Sequence, residues 1–358
     1  MHLRLRKNRW PPRGELWHAD APGVNCGKNH NNPAMNTPAL RYHAPPWLPG
    51  GHLQTLYPAL LAPCPRPRFR RERWTTPDGD FIDLDWTVDQ DQGSGKPLLV
   101  LFHGLEGSSR SHYARALMHH AVHEGRRGVV VHFRGCSGEP NRLPRAYHSG
   151  DSVEIDWILR RLRILHPDTP LHAVGVSLGG NALLKWLGEQ GTAAQAVVQR
   201  AAAVSAPVDL VAAGAALEHG LNMIYTRNFL ATLIPKALAK LARHPGLFDG
   251  HRVRAARTLR EFDNLVTAPL HGFRDVDDYW TRASSKPWLA RITVPTLLLN
   301  ARNDPFLPAA ALPTAGEMAT AVTAVFPDQG GHVGFASGPF PGTLDWLPHT
   351  ALAFLFRS

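Results

Sequence analysis

Short, almost uninterrupted apolar runs alternate with amphipathic stretches along most of the chain. The apolar runs cover residues 98–102, 129–133, 171–176, 296–299 and 321–326. Strands with this composition are buried on both faces of a sheet. The segments 111–124 and 153–165 each lie between two of the first three runs, and 178–190 directly follows the third. All three segments have the periodicity of helices. This alternation predicts an α/β fold with a mostly parallel central sheet and helices on both faces.

The pattern departs from this alternation in two places. Residues 73–75 and 81–86 flank the turn Pro77-Asp78-Gly79-Asp80 and predict an antiparallel hairpin before the parallel strands. From residue 208 to about 290 the sequence is helical and loop-like instead. Its candidate helices are 210–219, 224–242, which we expect to be broken or kinked at Pro235, and 253–262. An insertion at this point predicts a helical cap over the carboxyl ends of the strands.

The N-terminal part of the chain reads differently from the rest. Residues 1–34 lack apolar periodicity and are basic, so we expect them to be disordered, or an extension assigned in error with Met35 as the true first residue. Residues 42–68, rich in proline and aromatic side chains, predict an ordered arm lying over the core. We therefore predict one domain over residues 35–358, with the cap at about 208–290.

Composition narrows the class of protein further. The 358 residues are 44% hydrophobic, enough for a large core, but no apolar run is long enough to cross a bilayer. The three cysteines are too few and too scattered for a disulfide framework or a metal site, which favours a reducing compartment and predicts a cytoplasmic location.

The net charge of +10 belongs partly to the N-terminal segment and partly to a denser run of arginines within residues 66–73. Such runs are usually solvated faces, and we expect no nucleic-acid partner. The basic N-terminal segment and the apolar cap leave peripheral membrane contact open. The sequence does not predict an oligomeric state.

The candidate chemistry starts at Gly175-Val176-Ser177-Leu178-Gly179, where an apolar strand meets a helical stretch. A serine at such an elbow is lifted clear of the backbone as a nucleophile, and the flanking Gly175 and Gly179 allow strand and helix to approach closely. The amide of Leu178 is then directed at the oxyanion that attack on a carbonyl creates.

A nucleophilic serine needs a base and an orienting acid, and both follow in the chain order typical of this architecture. Asp304, within Asn303-Asp304-Pro305, follows the strand 296–299, and His332, within Gly330-Gly331-His332, follows the strand 321–326. Asp209 is a rival for the acid, because some members of this architecture carry it one strand earlier. The alternative interpretation of Asp209 is a cap for the first cap helix.

The oxyanion site needs a second amide from the loop after the strand 98–102. His103, Gly104 and Leu105 occupy that loop; Gly104 allows the sharp reversal and the Leu105 amide is the candidate donor. His103 lies on the oxyanion side, and we assign it a supporting role.

Other reactive side chains favour structural interpretations. Cys136 is expected to pack in its glycine-rich loop, and Arg134 to anchor a loop more readily than to contact substrate. His119, His120 and His123 have helical spacing but no carboxylate or cysteine partner, so a solvated helix face is expected. No metal and no cofactor are predicted.

Several stretches resemble the α/β-hydrolase superfamily and, within it, the YheT-like hydrolases related to abhydrolase-domain lipases and esterases. These stretches are residues 51–55, 76–80, 102–107, 132–139, 147–150, 175–181, 260–263 and 330–335. The resemblance covers residues 40–356. It implies the α/β-hydrolase fold and a serine carboxylester hydrolase acting on acyl esters, which include lipid-derived ones, with Ser177, Asp304 and His332 as its triad.

Two alternatives to ester hydrolysis stay open at this level. An acyl-enzyme can be intercepted by an alcohol, amine or thiol, so an acyltransferase has the same motifs. A non-catalytic member would bind a lipid-like ligand on the same scaffold. The apolar cap residues either line an acyl pocket or form the cap's own core; they are Leu221, Met223, Ile224, Tyr225, Phe229, Leu233 and Ile234.

Overall fold

A computed structural model of the chain describes residues 41–88 and 95–357. These described residues belong to one compact unit. The predicted N-terminal extension, 1–34, and its boundary near Met35 lie outside the described residues.

Eight strands form a single sheet in the order β1-β2-β4-β3-β5-β6-β7-β8. The strands are β1 (Phe69–Thr75), β2 (Phe81–Thr87), β3 (Leu98–Phe102), β4 (Arg127–His132), β5 (Leu171–Val176), β6 (Arg200–Val204), β7 (Thr296–Leu299) and β8 (Val322–Val325). β1 pairs antiparallel with β2, and β2 antiparallel with β4; all other pairs are parallel. The predicted mostly parallel sheet with an N-terminal hairpin is confirmed.

The sheet is buried on both faces, which explains its continuous apolar strands. In β3, Leu98, Val100 and Phe102 pack into one hydrophobic cluster. Leu99 and Leu101 of the same strand point to a second cluster on the opposite face. Because side chains alternate across a strand, a strand covered on both sides must be apolar at every position.

Eleven α-helices are assigned within the described residues. Outside the cap they are α1 (Gly51–Leu60), α2 (His112–His123), α3 (Ser152–Leu165), α4 (Leu178–Gln190) and α11 (Trp346–Leu355). The predicted cap region holds α5 (Leu210–Leu217), α6 (Met223–Arg243), α7 (Gly250–Ala255), α8 (Leu259–Phe262), α9 (Ala268–Leu270) and α10 (Val276–Ala283). The predicted helices 111–124, 153–165 and 178–190 match α2, α3 and α4 to within a residue at each end.

The sequence pattern missed two elements. β6 was not predicted as a strand, because alanines at positions 201–203 give it little β propensity; pairing between β5 and β7 in the buried sheet decides its structure. The region expected to be an ordered arm contains a helix that was not predicted, α1, whose ten residues include Pro58 and begin after Gly50 at a φ of 77°.

The cap helices differ from the predicted ones in two places. The predicted helix 253–262 is divided into α7 and α8, because Ala256 is extended and Thr258 starts α8 with a capping box completed by Glu261. α6 runs through Pro235 without a break. Ala231 and Pro235 are both exposed, so water can reach the carbonyl that a helical proline leaves unpaired.

Strand order reverses between β3 and β5, and this reversal locates the candidate site. β3 is followed in sequence by β4 on one side, whereas β5 lies on its other side. At such a point the loops after adjacent parallel strands diverge and leave a crevice at their carboxyl ends, where ligands bind in open α/β sheets. Ser177 follows β5, and the loop that holds Leu105 follows β3.

We predict that Gly179→Ala destabilises the fold by about 1–3 kcal/mol, since overpacking a close contact forces backbone shifts. A Cβ at this position would clash with the carbonyl oxygens of Phe102 and His103 in the neighbouring strand end. Urea unfolding measures the difference. Gly316→Ala is the control, because a Cβ there meets no atom within 4 Å; equal losses in both variants would contradict the steric argument.

Candidate active site

Ser177 occupies a strained elbow between β5 and α4. Its φ of 52° and ψ of −121° are unusual for a residue with a side chain. Its N–H donates to the Val204 carbonyl at 2.8 Å, which ties the elbow to the end of β6. A Cβ at Gly175 would clash with Gly179, so the two glycines permit the tight turn on which the serine stands.

The structure brings Ser177, His332 and Asp304 together from three separate loops. His332 Nε2 lies 2.9 Å from Ser177 Oγ, and His332 Nδ1 lies 2.9 Å from Asp304 Oδ2. A carboxylate can only accept at Nδ1, so Nδ1 carries the proton and Nε2 is free to accept from the serine hydroxyl. Both His332 and Asp304 are buried.

Asp209, the rival acid, has the structural role offered as its alternative. Its carboxylate accepts from the Ala212 N–H at 3.0 Å and caps the first turn of α5. The carboxylate that contacts His332 is Asp304, which also accepts from the Phe306 N–H at 2.8 Å.

The imidazole of His332 is fixed from several sides. The Phe306 ring stacks on it with centroids 3.9 Å apart and an angle of 18°. The His332 N–H donates to Thr55 Oγ1 at 2.8 Å, and the following Val333 N–H donates to Ser205 Oγ at 3.0 Å. Val333 itself has a φ of 59°, so the loop adopts a conformation that these hydrogen bonds stabilise.

Gln54 of α1 joins the loop of the acid to the loop of the base. Its Oε1 accepts from Asn303 Nδ2 at 2.9 Å and from the Gly330 N–H at 2.8 Å. Its Nε2 donates to the Leu48 carbonyl and to Gln329 Oε1, both at 2.9 Å. Because the side chain is fully buried, each of these bonds would be costly to lose.

Leu105 and Leu178 both line the cavity above Ser177, and the main-chain N–H of neither donates a hydrogen bond to any residue of the described ranges. The main-chain N–H groups on either side of Leu105 do have hydrogen-bond partners. The Gly104 N–H donates to the Tyr113 hydroxyl at 2.8 Å, and the Glu106 N–H donates to the Tyr147 hydroxyl at 2.9 Å. Free N–H groups on these two residues are what the predicted oxyanion hole requires.

His103 supports this loop as a neutral imidazole. Its Nε2 accepts from the Phe133 N–H at 3.1 Å, so the proton is on Nδ1, which donates to the Gly104 carbonyl at 2.7 Å. Burial, together with the charge of nearby His132, lowers the pKa of His103 to about 3. Gly104 packs directly against the Ser177 side chain, where a Cβ would come within 3.0 Å of the serine Cβ.

A cavity of about 590 Å³ opens above Ser177 and is walled largely by the cap. Its apolar lining includes Leu217, Phe229, Leu233, Phe262, Val266 and Phe306. Among the seven apolar cap residues named from the sequence, Phe229 and Leu233 line this cavity. Leu221 and Ile224 are instead exposed, and Tyr225 is buried against Phe306.

Polar contacts attach the cap helix α6 to the loops of the sheet. Lys236 Nζ lies 2.7 Å from Glu106 Oε2, beside the candidate oxyanion loop. Lys240 Nζ donates to the Leu143 carbonyl at 2.7 Å and to Asn141 Oδ1 at 2.9 Å. Because Lys236 and Lys240 are one turn apart, they form a polar stripe on one side of α6.

The other reactive side chains have structural surroundings. Cys136 is buried, and desolvation raises the pKa of its thiol to about 12. Arg134 Nε donates to Glu154 at 2.7 Å, and its Nη1 donates to Asp78 at 2.9 Å. These bonds anchor the loop after β4, in which Arg134 lies. His120, expected to lack a carboxylate partner, instead lies 2.9 Å from Asp345. Within the described ranges, no group of three or more His, Cys, Asp or Glu is arranged to hold a metal ion.

Sequence reasoning missed the supports of the site. Gln54, Thr55 and Asn303 hold the acid and base loops, and Tyr113 and Tyr147 hold the oxyanion loop. Gln54 and Thr55 stand in one of the stretches that carry the family resemblance, and that was the available signal. In physical terms, the signal is that Gln54 and Thr55 are two adjacent polar residues in a mostly apolar segment without acidic residues.

Fold and site together define a class of protein. A mostly parallel sheet with a serine elbow after β5, an acid after β7 and a histidine after β8 is the arrangement of α/β hydrolases. The chain belongs to the α/β-hydrolase fold family, whose model matches residues 97–339.

Named relatives agree with this assignment. The chain is 42% identical over 306 residues to YheT of Escherichia coli (strain K12), which bears a provisional name as an esterase; the match covers 83% of this chain and 87% of YheT. It is 32% identical to human phospholipase ABHD3, over 84% of this chain and 75% of that protein. The crystal structure of a membrane phospholipase A, a bacterial virulence factor, shares the fold with a TM-score of 0.50 and 17% identity, covering 80% and 86% of the two chains.

We predict that Gln54→Leu lowers the free energy of unfolding by at least about 2 kcal/mol, because it leaves the Gly330 N–H and the Asn303 amide without their acceptor. Urea unfolding gives the magnitude, and hydrogen exchange should become faster in residues 300–305 and 329–335. Gln195→Leu is the matched control, since this exposed amide has a single bond to the Thr293 carbonyl. Unchanged exchange in both loops would contradict the role of Gln54.

We predict that His103 remains neutral, with its proton on Nδ1, from pH 8 down to about pH 4. A folded pKa near 3 lies below the unfolded value of about 6.5, so the stability that neutral His103 contributes is present above pH 6.5 and is lost as the pH falls toward 3. Nitrogen chemical shifts of a histidine-labelled sample report the tautomer. His103→Phe assigns the resonance, and an imidazolium signal at pH 5 would contradict the prediction.

Proposed function

We propose that this protein is a serine hydrolase that cleaves carboxylic esters through an acyl-enzyme. The observation that carries the proposal is the hydrogen-bonded chain from Ser177 Oγ through the His332 imidazole to the Asp304 carboxylate, with both steps at 2.9 Å. Family membership supports the coarser part, ester hydrolysis. The roles of the individual residues rest on the geometry.

In the proposed reaction, Ser177 Oγ attacks the ester carbonyl while His332 Nε2 takes the hydroxyl proton. Asp304, hydrogen-bonded to Nδ1, stabilises the imidazolium. His332 then returns the proton to the leaving alcohol as the C–O bond breaks, which leaves an acyl-enzyme. Water, deprotonated by the same nitrogen, attacks that ester and releases the carboxylic acid with Ser177 restored.

The negative charge that develops on the carbonyl oxygen requires donors that are already in place. The free N–H groups of Leu105 and Leu178 are proposed for this role. Gly104, which leaves room beside Ser177, and His103, which fixes the Gly104 carbonyl, would act as positioning residues.

The shape and lining of the cavity support an acyl chain as the group bound there. Aliphatic and aromatic side chains dominate its walls, and its volume of about 590 Å³ suits a chain of short to medium length. The names of the relatives, an esterase and a phospholipase, support substrates that include lipid-derived esters. In this proposal, residues 35–358 form one hydrolase domain, with the cap at about 208–290.

We predict that the purified protein hydrolyses p-nitrophenyl acyl esters and that Ser177→Ala lowers kcat by about 10⁴- to 10⁶-fold, as loss of the nucleophile does in other triads. Asp304→Asn should cost about 10⁴-fold, because the imidazole then takes the wrong tautomer. Initial rates over acetate to palmitate esters measure both effects and give the preferred chain length.

Asp209→Asn is the matched control for the acid and should retain most of the activity, since Asp209 only caps α5. A fluorophosphonate label counts the reactive serines independently of substrate. Full labelling without turnover would favour an acyltransferase or a narrower ester. Folded protein that neither labels nor turns over would overturn the hydrolase proposal in favour of a binding protein.

A further inference from the structure

The outer side of α1 presents apolar side chains to solvent. We define the α1 face as Leu53, Tyr57, Leu60 and Leu61 together with the adjoining Trp47 and Phe340. Leu60, Leu61 and Phe340 are each more than 70% exposed, and Leu53 is half exposed. Large side chains in this number on one surface are unusual for a monomeric protein and mark an interaction site.

The geometry of α1 makes this face continuous. Residues 53, 57 and 60 are spaced at i, i+4 and i+7 and lie on one side of the helix, whereas Gln54, Thr55 and Pro58 are buried. The Trp47 ring lies 5.0 Å from that of Tyr57 and 5.5 Å from that of Phe340. Main-chain carbonyls satisfy the Trp47 and Tyr57 polar atoms, so the rings are free to contact an apolar phase.

The sequence that contains α1 carries charge of one sign. Residues 41–71 contain no Asp or Glu but hold the five arginines 41, 66, 68, 70 and 71. Only Arg71 has an acidic partner within the described ranges, Asp85; the other four are exposed. The carboxylate closest in sequence to Phe340, Asp345, is paired with His120. The segment directly preceding in the sequence, 1–34, is also basic.

We infer that the α1 face docks on an anionic lipid surface. Leucine and aromatic side chains on one side of a short helix insert at the boundary between headgroups and acyl chains, and flanking arginines are attracted to anionic headgroups. Tryptophan and tyrosine are the side chains favoured at that depth. The proposed contact is peripheral. Within the described residues, no helix is long and apolar enough to span a membrane.

The α1 face is connected to the candidate site. The buried side of the same helix holds the loop of His332 through Thr55 and Gln54. Leu56 packs against Leu217 and Phe306, which line the cavity. Docking would therefore place one wall of the acyl cavity next to the lipid phase. The inference stands on the surface alone and does not require the proposed function.

Flotation of the full chain with vesicles tests the inference. Vesicles of dialkyl ether phosphatidylglycerol and phosphatidylcholine contain no ester to cleave, so binding is measured apart from hydrolysis. We expect the wild-type chain to float with the anionic vesicles, to bind pure phosphatidylcholine more weakly, and to bind less as salt is raised. The double variant Leu60→Asn with Leu61→Asn should have a vesicle partition constant at least tenfold lower than the wild type.

Ile164→Asn with Leu165→Asn is the matched control, since these residues of α3 are 76% and 52% exposed but lie outside the α1 face. It should bind as the wild type does. Both double variants should keep the wild-type melting temperature and the rate on a water-soluble p-nitrophenyl ester, which separates failure of docking from failure of the hydrolase proposal.

Several outcomes would overturn the inference. Absence of flotation would do so, as would flotation that is equal in all three proteins, which would assign binding to the basic segment 1–34. Loss of binding in both double variants would show a nonspecific effect. A concentration-dependent dimer that Leu60→Asn with Leu61→Asn abolishes, without lipid binding, would make a second copy of the chain the occupant of the face.

Discussion

The close approach of α4 to the ends of β3 and β5 is the constraint on which the candidate site depends. Helix and strands meet so tightly that the backbone has no room for a Cβ at Gly175 or Gly179. The chain can turn from strand to helix in that space only through a residue with a positive φ, and Ser177 takes it. The hydroxyl thereby stands free of the backbone at the point where the strand order reverses.

Around this fixed serine, buried polar groups specify the positions of three otherwise irregular loops. Buried main-chain amides in these loops need internal partners. His103 and Tyr113 satisfy the oxyanion loop; Gln54 and Thr55 satisfy the base loop. The Leu105 and Leu178 amides are exceptions to this rule, and unpaired donors in a well-satisfied surrounding are what a charged intermediate requires.

The cap and α1 differ in how they meet the rest of the molecule. α6 is tied to the sheet loops by Lys236 and Lys240, while its apolar side chains turn toward the cavity. α1 buries Gln54 and Thr55 against the site and leaves Leu53 and Leu60 exposed. α6 thus helps to enclose the apolar cavity proposed to hold an acyl chain. α1 offers an apolar surface to the lipid surface proposed as its partner.

The sequence by itself determined the sheet, the three helices α2, α3 and α4, and the elbow at Ser177, because burial on both faces and helical periodicity leave unambiguous local patterns. The order of residues along the chain also limited the candidates to Asp304 or Asp209 for the acid and His332 for the base. It did not determine β6, whose alanines have no strand preference, or α1, whose glycines and prolines conceal a helix. Tertiary structure alone decided that Asp304 and not Asp209 meets His332, that Gln54 joins two loops more than 240 residues away, and which cap residues line the cavity. These depend on contacts between distant segments, which leave no periodic trace in the sequence.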